Sequence, residues 1–534
     1  MTLVAKLQEG RIPGGAGALV VLFFVLLVTG CAERSHAPAP GAGSGGVEVA
    51  NRLPAWSAAE WSRAVVYFAI VDRFADGEPK NNRGVDRAGK GTFHGGDLAG
   101  LASRLDDLAE LGINTLWLTP TVRNIDGFVT GAGFPDWGYH GYWADDFEQV
   151  DPRFGTEAEL RHLVAEAHRR SIRVLLDVVY NHAGYGSHYL TDPRTASWLR
   201  SAEKGSCGED DLTQCVAGLP DFRTDLPEVR EYLLSAHLGL AKRVGLDGFR
   251  LDTVKHVEHD FWKLHRTRTR QELGAGFFLL GEVWGGDAGV LDPWFAGDEL
   301  DAGFDFGFQG SALAFVRGRG RAVAFDRYLK SRERVRPGYL LAHFLSSHDV
   351  PGALSQLDGD LALFRLAAFL QMTVSGIPVV YYGEEVGRRG GDWPDNRSDM
   401  PWGALGIAPG AGQPRDEQLR SDYRRLIALR ARYPELATGA HESLVADGDL
   451  LVFGRHDPAT GSRVVVAVNR GAGEAEVTIP LPADWRGAQL HDVWGERPVV
   501  LDPTGEVARV SLVGRSGGIL VRDDAPSAHP KSHP

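Results

Sequence analysis

Short apolar runs alternate with amphipathic stretches along most of this chain. The runs are Val65 to Val71, Thr115 to Leu118, Val174 to Val179, Gly248 to Leu251, Phe277 to Gly281, Leu341 to Leu345 and Val379 to Tyr382, with a fainter one at Ala302 to Phe306. Each is short, rich in β-branched or aromatic residues, and bounded by Gly, Pro or polar residues, as strands buried on both faces are. Between them, stretches such as Glu157 to Arg170, Leu226 to Val244 and Leu361 to Val374 carry the helical period. This alternation implies a parallel sheet, and the number of repeats predicts a (β/α)8 barrel over 56–437. The connection after the third strand, 182–222, is too long for an ordinary loop and reads as a small inserted domain. After about Thr438 the pattern shifts to short alternating runs at Leu450 to Gly454, Arg463 to Asn469, Glu474 to Ile479 and Val507 to Val513, which predict an antiparallel β-domain over 438–523. The polar tail 524–534 reads as disordered.

The N-terminus follows different rules. Lys6 and Arg11 precede an apolar run from Ala16 to Val28, the length of a signal peptide core and shorter than the ~20 residues of a membrane span. It ends in Val28-Thr29-Gly30-Cys31, small residues before a cysteine, which resembles the lipobox of bacterial lipoproteins. That resemblance implies a signal over 1–30, lipidation of Cys31, and export to a bacterial membrane, the outer one if the host has it, facing periplasm or exterior. The Pro/Gly/Ala/Ser-rich stretch 31–55 then reads as a flexible tether. In an exported chain, the neighbouring Cys207 and Cys215 are expected to form a disulfide.

Composition narrows the partners. The net charge of -13 argues against nucleic acid, whose phosphates need a basic face. A neutral, hydroxyl-rich ligand is compatible with it.

Chemistry is sought where barrel strands end, because their C-terminal rim carries the active site. The third strand runs into Asp177-Val-Val-Tyr-Asn181-His182 and the fourth into Gly248-Phe-Arg250-Leu-Asp252-Thr-Val-Lys255-His256. The fifth ends in Gly281-Glu282-Val-Trp284 and the seventh in Phe344-Leu-Ser-Ser-His348-Asp349. A carboxylate closing one strand is as readily a helix cap as a catalyst. Four strands in order, converging carboxylates, an arginine and histidines on one rim, are hard to read as caps. Retaining cleavage of a glycosidic bond needs one carboxylate to attack the anomeric carbon and another to protonate the leaving oxygen, about 5–5.5 Å apart. Asp252 lies two residues from Arg250, on the same strand face, where the guanidinium keeps it ionised. Glu282, beside Val283 and Trp284, suits the acid.

These strings resemble the signature regions of the α-amylase family of glycoside hydrolases, with Leu219-Pro220-Asp221 resembling a further motif at the end of the inserted domain. The resemblance spans about Trp61 to Gly518. It implies a catalytic barrel, an inserted domain and a C-terminal β-sandwich, with Asp252 as nucleophile, Glu282 as acid/base and Asp349 as transition-state stabiliser. Asp177, Arg250, His182 and His348 are implied at the same substrate subsite. Tyr139-His140-Gly141-Tyr142-Trp143 resembles the segment whose second tyrosine stacks on the sugar, which assigns Tyr142 to stacking and His140 to a hydroxyl. Lys255 and His256 resemble fungal-type amylases and cyclodextrin glucanotransferases, where the lysine binds the leaving-group side.

The same resemblance implies Ca2+ at two places. Asn181, Asp221 and the His256 carbonyl match one family site, all hard oxygen donors. Asp76, Glu78, Asn81 and Asn82, with Gly95 and Asp97, resemble a calcium loop of the glucanotransferases, Glu78 standing where asparagine is usual. The main expectation is a monomeric endo-acting α-amylase of starch, glycogen and maltooligosaccharides. The chain ends after one β-domain and has little room for an N-terminal domain, which favours that reading over two others. One is a cyclodextrin- or maltooligosaccharide-specific hydrolase or glucanotransferase, and the other a non-catalytic glucan-binding lipoprotein.

Overall fold

The computed structural model describes residues 53–131 and 133–522. The expected signal 1–30, the expected lipidation site Cys31, most of the expected tether and the tail lie outside the described residues.

Eight parallel strands close into a barrel: β1 (Val66–Ala69), β2 (Thr115–Leu118), β3 (Arg173–Val178), β4 (Gly248–Leu251), β5 (Phe278–Gly281), β6 (Ala302–Asp305), β7 (Leu340–Phe344) and β8 (Ile377–Tyr381). Every residue of β1, β2, β4 and β5 is buried, because side chains fill the barrel on one face and meet the helical ring on the other. The fainter run at Ala302 is the sixth strand as expected, with ends shifted by a residue or so, as at the other strands.

The helices start and stop on their own signals. Glu157–Arg169 opens with a reciprocal Thr156/Glu159 capping box, and its apolar stripe buries Leu160, Leu163, Val164 and Ala167. Pro227–Val244 begins with proline at its first position and ends at Gly245 in the left-handed region.

Strand register places the chemistry. Arg250 of β4 pairs with Asp177 of β3, and Leu251 with Gly281 of β5. The side chains of Asp177, Arg250 and Asp252 therefore converge, with Glu282 one step along the neighbouring strand.

Segment 182–222 holds little regular structure: a two-residue pairing of Leu199–Arg200 with Asp221–Phe222, short 3-10 turns, and the Cys207–Cys215 disulfide. The long connection before β3 carries an antiparallel pair, Val122–Asn124 with Ala144–Val150, which the apolar pattern does not announce.

Beyond Thr438, two antiparallel sheets form the C-terminal domain. One has five strands: Ala440–Asp447, Leu450–His456, Arg463–Asn469, Ser516–Arg522 and Leu490–Asp492. The other has three: Ala475–Pro480, Val507–Leu512 and Val499–Leu501. Val452, Val465, Ala467, Val477, Ile479, Trp485 and Val510 are among the residues of the core the two sheets share. The opposite face, with Leu451, Phe453 and Val466, joins the barrel's core. No helix among the described residues is long and apolar enough to cross a membrane.

Candidate active site

At the C-terminal rim, one guanidinium organises three carboxylates. Arg250 Nη1 donates to Asp177 Oδ1 at 3.0 Å and to Asp252 Oδ1 at 2.5 Å, while Nη2 lies 3.9 Å from Glu282 Oε2. Glu282 Oε2 also accepts the backbone N–H of Thr253 at 2.8 Å. That bond requires the chain to turn sharply after Asp252, and Thr253 adopts φ 49°, the left-handed region that a β-branched residue rarely occupies.

The two carboxyls expected to do the chemistry sit in unlike surroundings. Burial pushes Glu282 up to about 8, against the pull of Arg250, so it holds a proton at neutral pH. The burial comes from the barrel mouth as a whole; Trp284 is 48% exposed and packs against Phe306. Asp252 is gripped by the Arg250 guanidinium. Such a pair sets a carboxyl that holds its proton beside one bound to a guanidinium, the unlike surroundings that an acid and a nucleophile need.

Asp177 stands one layer deeper. Its carboxylate accepts from Trp117 Nε1 at 3.2 Å, Tyr142 Oη at 2.6 Å and Arg250. With its oxygens so occupied and its side chain fully buried, Asp177 positions Tyr142 and Arg250 and does not itself reach a sugar. This corrects its assignment as a substrate contact.

Three histidines ring the pocket. Burial lowers the pKa of His140, His182 and His348, the last to about 3. Each is a neutral imidazole with one donor and one acceptor nitrogen, suited to a hydroxyl. His140 Nδ1 accepts the Tyr142 N–H at 3.1 Å, which puts its proton on Nε2. His182 Nε2 and His348 Nδ1 are buried polar atoms with no protein partner, which marks the place of a polar ligand. The Tyr142 ring lies parallel to His348 at 5.2 Å. Gly141 between His140 and Tyr142 has φ 91°, and a Cβ there would lie 2.1 Å from the Pro120 carbonyl, so only glycine makes this turn.

Asp349 faces the same mouth. Burial would raise it, but His348, Arg397 and Arg250 prevail and hold the carboxyl below its ordinary value. Arg397 Nη2 is 3.2 Å from Asp349 Oδ1, and Arg397 Nε and Asn396 Nδ2 both donate to the His348 carbonyl at 2.9 Å. Arg397, Asn396, Trp117 and Thr253 are further site residues, outside the expected set. The first two follow β8, whose C-terminal end lies on the same rim. Lys255 lines the mouth beside Trp284, 3.7 Å from Asp211.

The two calcium sets differ in surroundings. The Asn181 side-chain oxygen faces the His256 carbonyl at 3.0 Å and Asp221 Oδ1 at 3.2 Å. Arg200 Nη1 pairs with Asp221 Oδ2 at 2.7 Å. Three oxygens thus converge there beside the Arg200–Asp221 pair, a hard donor set of the kind Ca2+ takes.

The second set is unsatisfied. Asp76 Oδ1, Asn81 Oδ1 and Asn82 Oδ1 are buried oxygens without a partner, a donor set that fits Ca2+. Gly95, at φ 92°, leaves open the space beside Asn82 Oδ1 where a Cβ would sit 2.4 Å away. Within this set, Glu78 caps a short 3-10 turn by accepting Lys80 N–H. Asp97 is taken up by the N–H groups of Gly77, Glu78 and Gly100 and the Asn81 amide. Both build the loop, and neither has the free oxygens of Asp76, Asn81 and Asn82.

The family model described as alpha amylase, catalytic domain, matches residues 68–206 and 206–421. A cyclomaltodextrinase from Geobacillus thermopakistaniensis is 32% identical over 84% of this chain and 75% of its own length. Neopullulanase 2 from Thermoactinomyces vulgaris is 30% identical over 85% of this chain and 78% of its own. Among solved structures, an alpha-amylase from Geobacillus thermoleovorans complexed with acarbose superposes with a TM-score of 0.73 at 30% identity, covering 86% of this chain and 98% of that one.

Proposed function

The chain belongs to the α-amylase family of glycoside hydrolases, and on that premise we propose that it cleaves α-glucosidic bonds of cyclodextrins and maltooligosaccharides with retention of configuration. The observation that carries the chemistry is the Arg250-centred cluster, in which Glu282 is held protonated beside an Asp252 gripped by the guanidinium.

Asp252 attacks the anomeric carbon while Glu282 gives its proton to the departing glycosidic oxygen. This leaves a covalent glycosyl ester on Asp252 and frees the leaving part of the glucan. Glu282, now a carboxylate, takes a proton from water as that water attacks the same carbon and releases Asp252. Asp349 and the neutral histidines hold the sugar hydroxyls as the ring distorts. The intact trio of Asp252, Glu282 and Asp349 disfavours a purely glucan-binding role.

The curated relatives support the cyclodextrin and maltooligosaccharide reading better than the endo-acting starch hydrolysis to which the sequence alone points. The endo-acting reading keeps the support of the Geobacillus thermoleovorans alpha-amylase. A product and rate profile on β-cyclodextrin, maltoheptaose, pullulan and soluble starch separates the two. The proposal expects the highest kcat/KM on β-cyclodextrin or maltoheptaose, and a higher value on starch contradicts it.

Ca2+ at Asp76, Asn81 and Asn82 is part of the proposal. When bound, it ties together the loop after β1 and supplies no catalytic step. Attachment to a membrane through a lipid on Cys31 rests on the sequence before that cysteine.

A further inference from the structure

A basic block stands out in this acidic chain. Segment 317–336 holds eight Arg or Lys residues and two acidic ones, against a net charge of -13 for the whole protein. It covers helix Ala322–Arg332 and the turns on either side of it.

The helix sorts these charges. Ala322, Phe325, Asp326, Leu329 and Arg332 are buried, and Arg332 pairs with Asp305 of β6 at 2.7 Å. Both acids are held toward the C-terminal domain. Asp326 pairs with His441 at 2.9 Å and accepts from Ser443 at 2.7 Å, and Glu333 lies 3.5 Å from Arg455. Arg327, Lys330 and Arg334 are exposed, and their i, i+3, i+7 spacing puts them on one stripe turned away from the buried face. Arg319 and Arg321, also exposed, carry the positive surface into the preceding turn.

Among the described residues, Arg319, Arg321, Arg327 and Arg334 form no ion pair. Arg317 and Arg336, at the two ends of the block, pair with Asp358 and Asp292. Like charges in a block repel one another, and a surface that meets only water intersperses the two signs. The unpaired cations therefore fit an anionic partner. Their place in the barrel bears on which one. Arg334 lies shortly before β7 begins at Leu340, so the stripe ends at the N-terminal rim. The chain enters the barrel at that same rim, where Arg173 at the start of β3 donates to the Pro54 carbonyl. The active site opens at the opposite rim.

We propose that this basic face rests on the anionic headgroups of the bilayer that holds the protein, with the active-site mouth turned away toward the glucan. The inference rests on the membrane attachment through Cys31 proposed above. Each cation near an anionic lipid surface strengthens binding about fivefold. A basic patch joined to a lipid holds a protein that either signal alone holds marginally.

The test uses full-length Cys31→Ser, which lacks the lipid, and sediments it with vesicles of phosphatidylcholine alone or of two parts phosphatidylcholine to one part phosphatidylglycerol. The ratio of partitioning on the mixed to the neutral vesicles cancels whatever the apolar N-terminal run contributes. It should exceed about tenfold at low salt and fall at least about fivefold when Arg327→Ala, Lys330→Ala and Arg334→Ala are combined. Added salt should lower it as well. The triple variant should keep the kcat/KM of its parent on 4-nitrophenyl α-maltoside, because none of the three residues lies at the active site. Equal partitioning on the two vesicle types, or a triple variant that keeps the ratio, overturns the inference. Tighter binding to soluble polyphosphate than to the mixed vesicles, at equal phosphate, assigns the face to another partner and also overturns it. The mass of the wild type extracted from membranes reports separately whether Cys31 carries lipid, so failure of the anchor is told apart from failure of the basic face.

Discussion

Arg250 Nη1 and Asp252 Oδ1 lie 2.5 Å apart, and the same nitrogen holds Asp177 on the neighbouring strand. A fixed, planar guanidinium serves these carboxylates and Glu282 from one buried position, which a flexible ammonium cannot do. Arg250→Lys, which keeps the charge, should therefore lower kcat on maltoheptaose about 100-fold. Steady-state kinetics check this, and a loss below about fivefold would count against the organising role.

The raised pKa of Glu282 predicts two pH effects. Catalysis needs its proton, so kcat/KM should fall on the alkaline side with an apparent pKa near 8. Stability follows the same proton. The folded protein keeps it up to about 8, while the unfolded chain loses it near the ordinary 4.5. Folding therefore takes up a proton between those values, and the contribution of this group declines as pH rises from 4.5 through 8. Glu282→Gln cannot ionise. Its melting temperature should exceed that of the wild type most at pH 9, with the difference shrinking toward pH 5.

Calcium should act at the loop after β1, whose three buried oxygens lack a partner. Adding a chelator should lower the melting temperature of the wild type and leave that of Asn82→Ala nearly unmoved, because Asn82 supplies one of the free buried oxygens. Asn181→Ala should keep the full chelator response. A response lost in Asn181→Ala and kept in Asn82→Ala would place the cation at the other set.

Cys31→Ser should move the protein from the membrane fraction to the soluble fraction of cells that express it. Retention in the membrane fraction would remove the lipid anchor.

Most of this architecture was written in the chain. The barrel strands announce themselves because burial on both faces demands continuous apolar runs, and Arg250-Leu-Asp252 reads as a same-face pair because strand side chains alternate. Asp177 shows where such reading stops. Its place at a strand end suggested a sugar contact, but pairing in register with Arg250 turned its carboxylate inward. Arg397 stayed hidden because its role depends on the loop after β8 folding back onto Asp349. Long-range pairing of charges, unlike periodicity, leaves no local trace.

The covalent intermediate is the most direct test of the central claim. Glu282→Gln should still accept α-maltosyl fluoride, whose leaving group needs no acid, yet should hydrolyse the ester slowly for lack of a base. Intact-protein mass spectrometry should then show one added maltosyl group, and peptide mapping should locate it on Asp252. An adduct on another residue, or none in a variant that still consumes the fluoride, would contradict the account.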